Sequence, residues 1–192
     1  MKKFIKLAVI IAKIAELTHW AAAAVFFLLA GAEVFAGSEF IKSTVFGNIF
    51  SHNFTYDETA QQYFFNGVNI YGLQIRCQTA FNSYNSTAML LYSIGAVIIL
   101  CLVAAAFGNI HKILKNTNLF NKTTVILLRK IGICFIAVSA VCLITSIAAS
   151  NYMSLFHADF NFTSTIAGIF IICLSEYFKY GQKLQEDNYG LI

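Results

Sequence analysis

Four long apolar runs, at residues 14–36, 88–108, 131–149 and 164–180, constrain this chain more than anything else in it. Each comes close to the roughly 20 residues that carry a helix across about 30 Å of hydrocarbon. The fourth has the shortest apolar centre and reaches full length only with Thr163 to Thr165 and Tyr177 to Tyr180. Soluble domains carry about a quarter of their residues as charges. Here only 11% are charged and 58% are hydrophobic, more apolar surface than a soluble core of 192 residues can absorb. The expected class is therefore an all-α membrane protein, a bundle of four transmembrane helices in one membrane domain.

The first run is too long for the 7 to 15 apolar residues of a cleavable signal, and no convincing small-residue cleavage site follows it, so it is expected to be retained. The segment before it, "MKKFIKLAVIIAK", sets Lys2, Lys6 and Lys13 along one stripe beside Phe4, Ile5 and Ile11, as an interfacial lead-in helix would. Orientation follows from the basic side chains, which collect on the cytoplasmic side of spans. Eleven of the 13 precede span one, lie between spans two and three, or follow span four; Lys42 and Arg76 alone fall in the long 37–87 loop. Both termini are thus expected in the cytoplasm, and the net charge of +4 reflects topology, with no direct binding of nucleic acid.

The 37–87 segment is expected to form a small extracytoplasmic cap, since about 50 residues is too long for a plain connection. Within it, "YFFNGVNIYGLQIRCQ" is rich in aromatic and β-branched residues, and Asn66-Gly67 is a candidate turn for a short β-hairpin. The second outside loop, residues 150–163, is aromatic-rich and suited to pack against the first. Asn53, Asn85 and Asn161 each begin an N-x-[ST] pattern, read here as coincidence in Asn-rich loops. Cys101, Cys134, Cys142 and Cys173 fall in spans, with only Cys77 outside and no CxxC pair, so the cysteines read as small apolar side chains.

The inside segment 109–130 reads as a basic helical hairpin. Ile110, Ile113 and Leu114 continue the period of span two, with His111, Lys112 and Lys115 on the exposed side. Asn116 to Asn118 read as a helix end, Asn121 as the cap of the next helix, and Phe120 as a staple against Thr124 or Val125. The tail, 181–192, continues from span four as a short polar helix that Gly181 weakens by about 1 kcal/mol.

Two stretches, "ILKNTNLFNKTTVILLRKIG" and "SEYFKYGQKLQEDN", resemble the bacterial domain of unknown function 2975 family. The tail is the more specific, with Glu176, Phe178, Gly181, Leu184, Gln185 and Glu186 in matching places, while the end, Asn188 to Ile192, departs from the family's usual Asp-Leu-Thr ending. The resemblance implies a small multi-pass protein of the bacterial inner membrane with no established activity, often encoded beside a small helix-turn-helix regulator.

Two groups of side chains carry the functional expectations. Lys13, Glu16 and His19 recur every three residues near one end of span one, and Glu176 and Lys179 of span four fall at a similar depth. They are expected to gather either as a proton-responsive or ion-binding cluster or as a structural ion pair with its lysines snorkelling to water. Glu33, near the other end of span one, meets Lys42 or Arg76 or reaches water. The second group is a contact surface of His111, Lys112, Lys115, Lys122, Arg129 and Lys130 on the hairpin with Lys183, Leu184 and Glu186 on the tail. It suits a small cytoplasmic partner such as a helix-turn-helix protein, or anionic lipid; a homo-oligomer stays open.

No Ser-His-Asp arrangement, nucleophile elbow or phosphate loop is present, and no two histidines sit at ligand spacing. No catalytic residue, metal or cofactor is expected. The first functional expectation is a regulatory or adaptor protein. The second is a small transporter, channel or immunity-type membrane protein using the intramembrane charges.

Overall fold

The chain contains no proline, so nothing in its apolar runs removes a helical hydrogen bond. The helices of the computed structural model accordingly outrun the expected spans: α1 (Lys2–Ala36), α2 (Ser86–Lys115), α3 (Lys122–Ser150) and α4 (Phe162–Tyr189). The structure describes residues 2–36, 54–57, 62–65, 69–75, 86–116, 120–152 and 158–189. All four helices are long and apolar enough to cross a membrane, the architecture of a multi-pass membrane protein. The lead-in expected to lie along the surface is instead the first three turns of α1. With its 35 residues, α1 is about 52 Å long, well beyond the hydrocarbon thickness.

Burial separates the helices. Half of the most apolar stretch of α2 is buried, against 11% of that of α1. Met89, Tyr92, Ala96, Ile99, Val103 and Ala106 form the buried stripe of α2. Their spacing alternates between three and four residues, the period that keeps one face against neighbouring helices. Around α1, Phe4, Leu7, Ile11, Phe27, Leu28 and Phe35 are exposed, and Trp20 is 48% exposed. A helix so apolar on its outside has lipid as its solvent.

The chain packs as two units. The first comprises Met1–Ala21, Leu100–Val138 and Phe162–Ile192; the second comprises Ala22–Ile99 and Ser139–Asn161. At the centre of the first, α3 and α4 cross at Gly132 and Gly168. A Cβ added to either glycine would come within 2.7 Å of the other's carbonyl oxygen, so the two backbones touch there. Ile136 and Ile172 close the crossing on its flanks, each within 2.7 Å of a Cβ added to the opposite glycine. The pair has one glycine on each helix, so no motif within a single helix marks it.

The second unit holds two antiparallel hairpins among its described residues. β1 (Phe54–Asp57) pairs with β2 (Gln62–Phe65) in the register Phe54 to Phe65, and β3 (Asn69–Ile70) pairs with β4 (Leu73–Gln74). β2 and β3, the described strands nearest the expected Asn66-Gly67 turn, do not pair with each other: β2 pairs with β1 and β3 with β4. The turn falls at Tyr71-Gly72, with φ of 51° and 94°, the left-handed pair that a two-residue primed turn requires. Asn69 holds it: its Oδ1 accepts the Gly72 N–H at 2.8 Å.

This hairpin is tied to the 158–161 segment and to α3 by hydrogen bonds, most of them between neutral groups. Asn161 Nδ2 donates to the Tyr71 carbonyl at 2.5 Å, and Cys142 Sγ reaches the same oxygen at 3.5 Å. The Gln74 N–H donates to Asp159 Oδ2 at 3.1 Å. The Asp159 N–H in turn donates to Ser146 Oγ, and Ser139 Oγ donates to the Asn161 carbonyl, each at 2.7 Å. Leu73 and Ile75 are fully buried beneath it, and burial pushes the Tyr71 phenol above its ordinary range. Asn161, one of the three N-x-[ST] asparagines, thus spends its side-chain amide on the hairpin turn. Readings that fall on Lys42, Asn53, Asn66-Gly67, Arg76, Cys77 and Asn85, or on the side chain of Glu33, lie outside the described residues.

Candidate functional site

The charges expected to gather in one cluster stand as two groupings in the first unit. In the first, Lys13 Nζ donates to Glu16 Oε2 at 3.0 Å, one helical turn away. The Glu16 carboxylate lies against α2 at Gly108, 3.2 Å from where a Cβ would stand. His19 donates from Nδ1 to the Ala15 carbonyl at 2.6 Å and lays its ring on Phe107, with centroids 5.3 Å apart. His111, expected on the exposed side of the hairpin, is half-buried and reaches across to α1, where its Nδ1 donates to the Val9 carbonyl at 3.1 Å. These residues join α1 to α2.

Glu176 belongs to the second grouping. It pairs with Arg129 of α3 and, at 3.8 Å, with Lys179 one turn along its own helix. All three side chains are about half exposed, so this is a marginal ion pair and not an interior one. Arg129 was expected on the contact surface; it is instead the link from α3 to Glu176. Depth along the spans set Glu176 beside the charges of span one, but periodicity carries no information about which helix faces which. That is why the pair escaped notice.

The local folding around this grouping is well determined. Asn121 caps α3: its Oδ1 accepts the Thr124 N–H at 2.7 Å, and its carbonyl accepts the Val125 N–H at 3.3 Å. Such a cap contributes about 1 kcal/mol. α2 ends as its chain tightens at Asn116, whose N–H donates to the Ile113 carbonyl. Phe120, immediately before the cap, turns its ring to α4. It stacks on Phe178 with centroids 5.2 Å apart and covers Gly181 so closely that a Cβ there would lie 2.7 Å from the ring. The helical cost of Gly181 is thereby explained: a larger residue would displace the ring.

Between the start of α3 and the end of α4 runs a groove of about 810 Å³. Its floor includes Val125 and Ile126, and Tyr180 and Gln182 line it from α4. Lys122 and Arg129 line it from α3, and Lys179, Lys183, Glu176 and Glu186 from α4, a net excess of two positive charges. Glu186 accepts a hydrogen bond from Gln182 Nε2 at 2.7 Å. Of the remaining residues expected on the contact surface, Lys112, Lys115 and Lys130 are exposed outside the groove, and Leu184 is half exposed on the tail. Among the described residues no three His, Cys, Asp or Glu side chains stand close enough together to hold a metal ion.

Residues 47–189 match the family described as "Protein of unknown function (DUF2975)". No curated protein matches the chain, and no solved structure does.

Proposed function

The chain belongs to the DUF2975 family, and from that premise we propose that it is a regulatory or adaptor protein of a bacterial inner membrane, with both termini cytoplasmic, that engages a small cytoplasmic protein. One observation carries the reading. α4 continues to Tyr189, beyond the expected span, and Phe120 seats on Phe178 at the end of that span and on Gly181, where the extension begins. The tail and the start of α3 thus pack together, with Lys130 and Leu184 exposed on them and Lys112 and Lys115 exposed at the end of α2. A partner suited to these residues presents carboxylates around an apolar contact, because rim charges of opposite sign steer and orient an encounter. The family's association with small helix-turn-helix proteins supports a partner of that kind. The reading is non-enzymatic and needs no cofactor.

The test is co-purification from membranes of a small cytoplasmic helix-turn-helix protein, using the full chain and one lacking residues 181–192. Capture that is lost on the deletion and on Leu184→Glu is the expected result. Capture that survives both changes would refute the reading. Flux across liposomes that disappears with Glu176→Gln would install the transporter or channel reading in its place. The half-exposed, ion-paired setting of Glu176 counts against that outcome, since transporting carboxylates face the bundle interior or a cavity.

A further inference from the structure

We infer that the groove between the start of α3 and the end of α4 holds the headgroup of an anionic phospholipid, whose acyl chains run along the seam between the two helices. This goes beyond general contact with a bilayer and is independent of the docking reading, because the exposed residues Lys112, Lys115, Lys130 and Leu184 lie outside the groove.

Charge comes first. Arg129 and Lys179 are engaged by Glu176, and Glu186 is held by Gln182. Lys122 and Lys183, one from each helix, enter no ion pair among the described residues. They are the two ammonium groups available to a phosphate, with Arg129 able to turn from its carboxylate toward a stronger bidentate acceptor. Tyr180 and Gln182 supply neutral donors for the ester and glycerol oxygens beside it.

Position comes second. The groove is lined by residues 122–129 of α3 and 176–186 of α4. Those stretches are where the apolar runs at 131–149 and 164–180 begin and end, so its residues fall at the boundary between hydrocarbon and headgroups. Below it the same helix faces turn apolar. Ile133 on α3 is exposed, one turn from the groove-lining Arg129, as are Cys173 and Ile169 on α4, one and two turns from the groove-lining Glu176. The Gly132–Gly168 contact draws the two backbones together at this level of the helices. A free phosphate would use the upper part alone. A phospholipid uses both, which is what a charged groove continuing into an apolar seam selects.

The chain, purified in mild detergent, is examined by native mass spectrometry and thermal unfolding with added phosphatidylglycerol, phosphatidylcholine or inorganic phosphate. Phosphatidylglycerol is expected to stay bound and to raise Tm, with phosphatidylcholine and phosphate doing neither. Lys122→Gln with Lys183→Gln is expected to weaken its retention about thirtyfold, in line with the attraction of two lysines to an anionic surface. Lys112→Gln with Lys115→Gln removes equal charge outside the groove and is expected to leave retention unchanged. Equal retention of the two lipids, an equal shift with phosphate alone, or equal loss from both double variants would each overturn the inference.

Discussion

The two units use opposite means to hold their helices. In the first, α3 and α4 meet backbone to backbone at Gly132 and Gly168, while ion pairs such as Arg129 with Glu176 sit at the half-exposed margin. In the second, the β3–β4 hairpin is held by neutral donors, Asn161, Cys142 and Ser139 among them, bonded to backbone carbonyls beside buried Leu73 and Ile75. The contrast teaches where stability and adaptability lie. Contact between backbones tolerates no added atom, and a neutral donor removed from a backbone carbonyl leaves that carbonyl short of a partner. A marginal ion pair contributes little and can exchange partners. The region that can rearrange at low cost is therefore the one lined with charge.

Substitutions rank this contrast. The largest effect is expected from Gly132→Val, which drives a side chain into the Gly168 carbonyl and Ile172; a loss of about 3 kcal/mol should appear as a lower Tm in detergent. Unchanged stability would remove the glycine crossing from the first unit. Next comes Asn161→Ala, which takes the close donor from the Tyr71 carbonyl and should cost about 2 kcal/mol, insensitive to salt. Phe120→Ala should cost about 1 kcal/mol through its lost ring contact. Its clearer signature is faster proteolysis within 181–189, and equal protection would detach the tail from α3. Smallest is Arg129→Gln, expected to change stability by less than about 1 kcal/mol and to lose even that effect in high salt. A salt-independent cost comparable to that of Asn161→Ala would erase the distinction between the units.

Much of the fold was legible in the sequence, because hydrocarbon demands long apolar runs and four of them stand in plain view. The cap at Asn121 was legible too, since a side-chain amide before a helix is a local signal. What sequence reading lost was whatever depends on the neighbouring helix. Glu176 was matched with span one by depth alone, whereas α3 supplies Arg129 as its partner. Phe120 was expected to fold back on its own helix but finds Phe178 across the gap. Asn66-Gly67 has stronger turn chemistry than Tyr71-Gly72, yet the hairpin closes at the latter, where Asn69 and Asn161 add bonds that local propensity does not include.

Trp20, half exposed on the apolar outside of α1, is the one tryptophan in the chain. Its fluorescence is therefore an optical report from a single point. Quenching by lipids brominated at successive acyl positions would read the depth of that point in a bilayer directly, without a label and without altering the protein.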